Sequence, residues 1–178
     1  IASIGEFVSV PYEIIVVNDG STDDTDEVMR PFLGDGRVKY ISQANAGQTR
    51  AKNEGIRNAR GEFVAFLDAD DCWEPMKLEK QLPLFRDPGV GVVYSTARYI
   101  DERGNSLPYK LTMRYLQPQA GWVTRHLLFD NFVPFSSSVV RRKVLDEVGV
   151  FDESLRMGID WDLWLRISVH YRFQYVNE

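Results

Sequence analysis

Phe63-Val64-Ala65-Phe66-Leu67-Asp68-Ala69-Asp70-Asp71 is the stretch on which the fold turns. Five apolar residues with nothing polar among them predict a strand buried on both faces, as in parallel sheets covered by helices. Three carboxylates then stand where that strand must leave the sheet. In open α/β sheets, ligands bind in the crevice beyond the carboxyl ends of the strands. Like charges this close repel, and a cation with a polyanionic ligand relieves the repulsion. Capping of the next helix by Asp70 or Asp71 accounts for the same residues, so the triplet alone leaves two readings open.

The flanking sequence supplies the rest of such a sheet. Residues 13–17 read as a strand that ends at the turn cluster Asn18-Asp19-Gly20-Ser21. Thr22 is placed to cap a helix with Asp23, Asp24, Asp26 and Glu27 in its first turns, Val28 and Phe32 facing inward, and an end at Gly34-Asp35-Gly36. Residues 37–42 read as a strand, 47–59 as a helix closed by Gly61, 75–85 as a helix and 90–94 as a strand. This alternation predicts a parallel α/β sheet. Beyond it, residues 97–100 and 107–109 flank Asp101-Glu102-Arg103-Gly104-Asn105 as a hairpin, 122–129 read as helix, 137–140 as strand and 142–148 as helix. Residues 160–171 form the best amphipathic helix, with Trp161, Leu165 and Val169 spaced four apart and Trp164 and Ser168 beside them.

Phe7-Val8-Ser9-Val10 also looks like a strand, yet only Pro11 separates it from the strand that Tyr12 and Glu13 open. Parallel neighbours need a crossover of roughly a dozen residues, and hairpin turn chemistry is absent here. A segment is therefore expected to be missing between about Val10 and Tyr12. Residues 1–178 are read as one domain, incomplete there and, by expectation, at its carboxyl end.

Composition excludes several classes. Twenty-one basic against 26 acidic side chains give a net charge of −5, which argues against a nucleic-acid partner. The single cysteine, Cys72, excludes an internal disulfide and suits a reducing, cytoplasmic compartment. No apolar run is long enough to cross a bilayer. No glycine-rich phosphate loop follows the first clear strand, and His126 and His170 form no zinc motif. Ser136-Ser137-Ser138 lacks the strand-turn-helix setting of a nucleophile elbow.

The acidic strand ends, Asp19 and the pair Asp68 and Asp70, together with Asp160 and Asp162 opening the late helix, suit a metal-bound nucleoside diphosphate. The cation neutralises phosphate while other carboxylates accept hydrogen bonds from ribose or base. Asp19 as a turn former and Asp160 as the cap of its own helix stand beside these roles. Arg50 fits either a nucleotide contact or a solvated helix charge. The spacing of Trp161 and Trp164 suits packing more than a sugar platform.

Residues 13–25, Glu-Ile-Ile-Val-Val-Asn-Asp-Gly-Ser-Thr-Asp-Asp-Thr, resemble the nucleotide-binding signature of the inverting family-two glycosyltransferases. Asn45-Ala46-Gly47 with Ala51 and Asn53 is similar to that family's next helix, residues 61–71 to its strand and Asp-x-Asp motif, and Asp160-Trp161-Asp162-Leu163-Trp164-Leu165-Arg166 to its late acidic motif. The resemblance covers most of the chain. It implies a GT-A fold, with a mostly parallel central sheet flanked by helices, and inverting transfer of a sugar from a nucleotide sugar, a UDP-sugar first, to a saccharide or lipid-linked hydroxyl. It also implies a non-processive, hexosyltransferase-like enzyme of cell-envelope polysaccharide synthesis, cytoplasmic or at the inner face of a membrane. By motif position, Asp19 and Asp68 bind substrate, Asp70 holds Mn²⁺ or Mg²⁺, and Asp160 is the general base; Arg50 is a further substrate-binding candidate outside the motifs. Ile159 departs from the family's frequent Glu, and the Pro-x-Tyr-Asn-like end of its first strand is not found. A nucleotidyltransferase would need a basic glycine-rich loop, absent here, and a degenerate binding module is the non-enzymatic alternative.

Overall fold

The computed structural model describes residues 10–107 and 117–177. Strand β1 (Ile14–Asp19) pairs in parallel with β2 (Val38–Gln43), from Ile14 opposite Val38 to Asp19 opposite Gln43. A second sheet has the order β3 (Phe63–Ala65), β5 (Val139–Arg141), β4 (Val90–Ser95), β6 (Arg172–Val176). Here β4 and β6 are parallel, while β5 runs antiparallel to both β3 and β4. The alternation of elements did not anticipate this reversed strand. Its register decides what lies under the acidic loop. Ala65 faces Val139, so the turn that feeds β5, Phe135–Ser137, sits beyond the carboxyl end of β3.

The helices are α1 (Thr25–Met29), α2 (Gln48–Asn58), α3 (Lys77–Gln81), α4 (Thr124–Leu127), α5 (Arg142–Val148) and α6 (Ile159–Ser168). Several expectations needed correction. The first helix begins after Asp24 rather than at Thr22, and it buries Met29 while Val28 is exposed. The helix expected over 75–85 is split. Pro83 has no N–H to continue α3, and residues 82–86 tighten into a 3-10 helix. Only residues 124–127 of the 122–129 segment are α-helical. The late helix stops at Ser168, and residues 172–176 form the unforeseen β6. Its buried face is Leu163, Trp164 and Ile167, whereas Val169 is exposed. The expected hairpin closes through Ile100 opposite Ser106, with residues 108 and 109 outside the described set.

One core joins α6 to the second sheet, with Trp164 of α6 and Phe173 of β6 meeting edge to face at 6.4 Å. Phe66, the residue after β3, stacks on Phe135 at 4.9 Å and meets Phe151 at 5.5 Å. Gly91 is required in β4, because a Cβ there would lie 2.6 Å from that of Tyr171.

Among the described residues no pairing joins β1 to β3. Ile14 to Val17 are only half-buried, against the expectation for an apolar central strand. The two meet through Glu13, whose carboxylate accepts the backbone N–H groups of Arg60 and Gly61. Of the expected strand 7–10, residues 7–9 lie outside the described set.

Candidate active site

The strand ends are linked through α2. Asp19, the last residue of β1, accepts hydrogen bonds from Gln43 Nε2 at 2.7 Å and from the backbone N–H groups of Ala46 and Gly47, both at 2.8 Å. The Gln43 amide, followed by the backbone donors, holds its carboxyl below the usual carboxylate range. Next to it Gly20 has φ +76°, and a Cβ there would lie 2.7 Å from Asn45 N, so the turn needs glycine for both reasons. Asp19 thus ties β1 to the start of α2.

One turn further along, Lys52 reaches the end of β3. Its Nζ lies 3.0 Å from Asp68 Oδ1 and 3.8 Å above the centre of the Phe135 ring, and its side chain is 18% exposed. Half-buried charge pairs of this kind gain more than solvated ones, because water screens them less. On the other side of α2, Asn53 and Arg50 hold the segment leading to α6. Asn53 is buried; its Nδ2 donates to Phe151 O (2.9 Å) and Glu153 Oε1 (3.1 Å), and its Oδ1 accepts from Phe151 N (3.0 Å). Arg50 pairs with Glu153 at 3.0 Å. Of the sequence candidates, Arg50 remains an exposed helix charge, paired at the surface with Glu153.

The acidic loop itself is held from below. Asp71 N donates to Asp68 O in a tight turn. Asp68 N donates to Ser136 Oγ at 3.0 Å, and Trp73 Nε1 to Ser136 O at 2.7 Å. Gln81 Nε2 donates to Ser137 O at 2.8 Å. Asp70 and Asp71 are exposed, and their carboxylates have no hydrogen-bonded or ionic partner among the described residues. After them comes Met76 at φ +66°, a left-handed conformation that is strained for a side chain of this size. Lys77 follows, with Nζ buried without a hydrogen-bond partner, 4.1 Å above the Trp73 ring. Burial pushes that ammonium down to about 7.

Asp160 stands in the first turn of α6, behind Gly158 at φ +66°. Its Oδ2 accepts from Asn131 Nδ2 at 2.9 Å, while Asn131 Oδ1 takes the N–H of Val133 at 3.3 Å. No other partner of the Asp160 carboxylate stands among the described residues. The neighbouring Asp162 is spent on Arg166, at 2.8 Å. The open cleft lined by Glu147, Arg166 and His170 lies toward the other end of α6 and contains none of these groups.

Among the described residues no cluster of three His, Cys, Asp or Glu could hold a metal by itself. A hard cation at Asp70 would take its remaining oxygens from a diphosphate and water. Two exposed, unpaired carboxylates fit that sharing.

The model of glycosyl transferase family 2 matches residues 5–149. The chain belongs to this family. It is 35% identical over 165 residues to an uncharacterized glycosyltransferase of Rickettsia conorii, covering 87% of this chain and 26% of that protein. It is 30% identical over 168 residues to the chondroitin synthase of Escherichia coli, covering 93% of this chain and 24% of the relative. The chain thus spans about a quarter of the length of these two relatives. In structure it is similar to the mannosyltransferase PcManGT of Pyrobaculum calidifontis, solved with GDP-Man and Mn²⁺ (TM-score 0.72, 22% identity, 93% of this chain and 46% of that one). S. aureus TarS residues 1–349, solved with UDP, gives a TM-score of 0.69 at 22% identity, covering 96% of this chain and 53% of that one. The fold is GT-A, and the activity of the family is glycosyl transfer.

Lys52, Trp73, Asn131 and Ser136 were not picked out from sequence. The signal for Lys52 was its place between Ala51 and Asn53, in a stretch already similar to the family. Asn131 lies 29 residues from the Asp160 carboxylate it bonds and Ser136 lies 68 residues from the Asp68 backbone N–H it accepts, and only folding pairs them.

Proposed function

We propose that this domain transfers a sugar from a nucleoside-diphosphate sugar to an acceptor hydroxyl with inversion, assisted by a divalent cation. The observation that carries the reading is the end of β3: Asp68 paired with Lys52, and Asp70 exposed and unpaired in the same loop. Asp68 and Lys52 bind the ribose-diphosphate part of the donor, and Asp70 holds Mn²⁺ or Mg²⁺. When bound, that cation supplies a positive charge against the leaving diphosphate. Asp19 contributes by fixing the turn against which the nucleotide lies. Arg50 joins the donor site through the Glu153 segment.

Asp160 serves as general base. Its carboxylate takes the proton of the acceptor hydroxyl as the oxygen forms a bond to the anomeric carbon, and the bond from that carbon to the diphosphate oxygen breaks with its electron pair on the diphosphate. Asn131 engages one carboxylate oxygen and leaves the other for the acceptor. Direct displacement of this kind inverts the configuration. A nucleotide-sugar donor is supported by fold neighbours solved with UDP-GlcNAc and GDP-Man, and a saccharide acceptor by the similarity to a chondroitin synthase. Among the described residues no helix is long and apolar enough to cross a membrane.

Calorimetry with UDP, GDP and dTDP, each with and without Mn²⁺, tests the donor half. Metal-dependent binding of one nucleotide is expected, and silence in all combinations would overturn it. NMR of the glycoside formed from the matching donor reads the anomeric configuration, and retention would remove Asp160 from its role.

A further inference from the structure

Three consecutive serines enter β5, and they spend their hydroxyl groups differently. Ser137 Oγ donates to Pro134 O at 2.8 Å, and Ser138 Oγ donates to Phe135 O at 2.6 Å. Both are buried, and both close the turn on itself. Ser136 does neither. Its oxygen accepts the N–H of Asp68 at 3.0 Å, and no acceptor among the described residues takes its proton. It is half-buried rather than buried, so that proton is not sealed inside.

Its position is fixed from three sides. Trp73 Nε1 donates to Ser136 O at 2.7 Å. The Phe135 ring stacks on Phe66 at 4.9 Å and lies under Lys52 Nζ at 3.8 Å. The antiparallel register of Ala65 with Val139 places the turn beyond the carboxyl end of β3, beside Asp68. A hydroxyl whose lone pair is occupied by a backbone N–H still has its own proton to donate, for which an anionic or hydroxyl oxygen is a suitable acceptor.

We propose that Ser136 is a donor-binding residue: its hydroxyl donates a hydrogen bond to an oxygen of the sugar-diphosphate part of the nucleotide sugar held at Asp68. This rests on the function proposed above.

The test compares wild type with Ser136→Ala, Ser136→Thr and Ser137→Ala by calorimetry, using UDP and GDP, then the sugar nucleotide of whichever binds, each with and without Mn²⁺. Ser136→Ala is expected to weaken binding about tenfold or more, as for loss of a hydrogen bond to a charged group. Ser136→Thr, which keeps the hydroxyl, should restore affinity to within about threefold, and Ser137→Ala should lower the melting temperature without changing affinity. A loss seen with the nucleoside diphosphate alone puts the contact on the diphosphate, and a loss seen only with the sugar nucleotide puts it on the sugar. Unchanged affinity in Ser136→Ala overturns the proposal while the donor site stands. A loss in Ser136→Ala that Ser136→Thr does not restore also overturns it, since that result means the Asp68 loop has moved. Absence of nucleotide binding in wild type overturns the reading of the whole site.

Discussion

Replacing Asn53 by alanine should loosen the segment that carries Asp160 into place. The side chain is 1% exposed and makes three hydrogen bonds, two of them to the backbone N–H and C=O of Phe151. Phe151 is itself buried, so truncation leaves two main-chain groups without partners. Each unsatisfied buried group costs about 1–3 kcal/mol, which sets the expected loss at about 3 kcal/mol. For a domain of this size that corresponds to a melting temperature lower by about 6–12 °C. Urea denaturation should show a lower midpoint with an unchanged slope. Asn53→Asp keeps the acceptor for Phe151 N–H but loses the donor to Phe151 O and sets a second carboxylate against Glu153. It should therefore be no more stable than the alanine variant. A loss below about 1 kcal/mol in Asn53→Ala would refute the view that this amide locks α2 to the segment before α6.

Asp160→Asn retains the shape and the contact with Asn131, so donor affinity should persist while the transfer rate falls by on the order of 10²-fold or more; a rate within a few-fold of wild type would move the base elsewhere. Asp70→Ala removes an exposed, unpaired carboxylate, so the melting temperature should stay within a degree or two while metal-dependent nucleotide binding disappears in titrations. Lys77 carries an amine that folding lowers from its usual value to about 7. The unfolded chain then binds more protons between about pH 7 and 10, and this residue's destabilising contribution, full below pH 7, fades as pH rises. Lys77→Met should raise stability more at pH 6 than at pH 10 in denaturant titrations, and a gain of equal size at both would show that the amine is not desolvated in the fold.

The motifs at Asp19, Asp68 to Asp71 and Asp160 were legible because each sits at the end of a strand or the start of a helix, where local pattern marks both the element and its boundary. The five-residue apolar run located β3 and the α/β class, but the strand is only Phe63–Ala65, half-buried at the end of its sheet and antiparallel to β5, not buried on both faces among parallel neighbours. Pattern misled where packing chooses between neighbouring faces. Of the stripe read in α6, Trp164 and Ser168 are buried and Trp161 and Leu165 are partly buried against the core, but Val169 is exposed and the unread Leu163 and Ile167 are buried, because the face centred on Trp164 meets Phe66, Phe173 and the second sheet. Nor did the alternation of strands and helices disclose that β5 runs backwards between β3 and β4, since strand direction is set by which partners bury it.

Sequence by itself determined the strand ends, the residue types gathered there and the family to which they point. Those are local properties: apolar runs, turn residues and carboxylates adjacent along the chain. Tertiary structure decided which groups complete the site. Lys52 meets Asp68 from another element, Asn131 meets Asp160 across 29 residues, and Ser136 meets Asp68 across 68. A serine or asparagine has the same local signature whether it closes its own turn or bonds a residue far along the chain, and only the register of β5 against β3 and the packing of α6 distinguish the two.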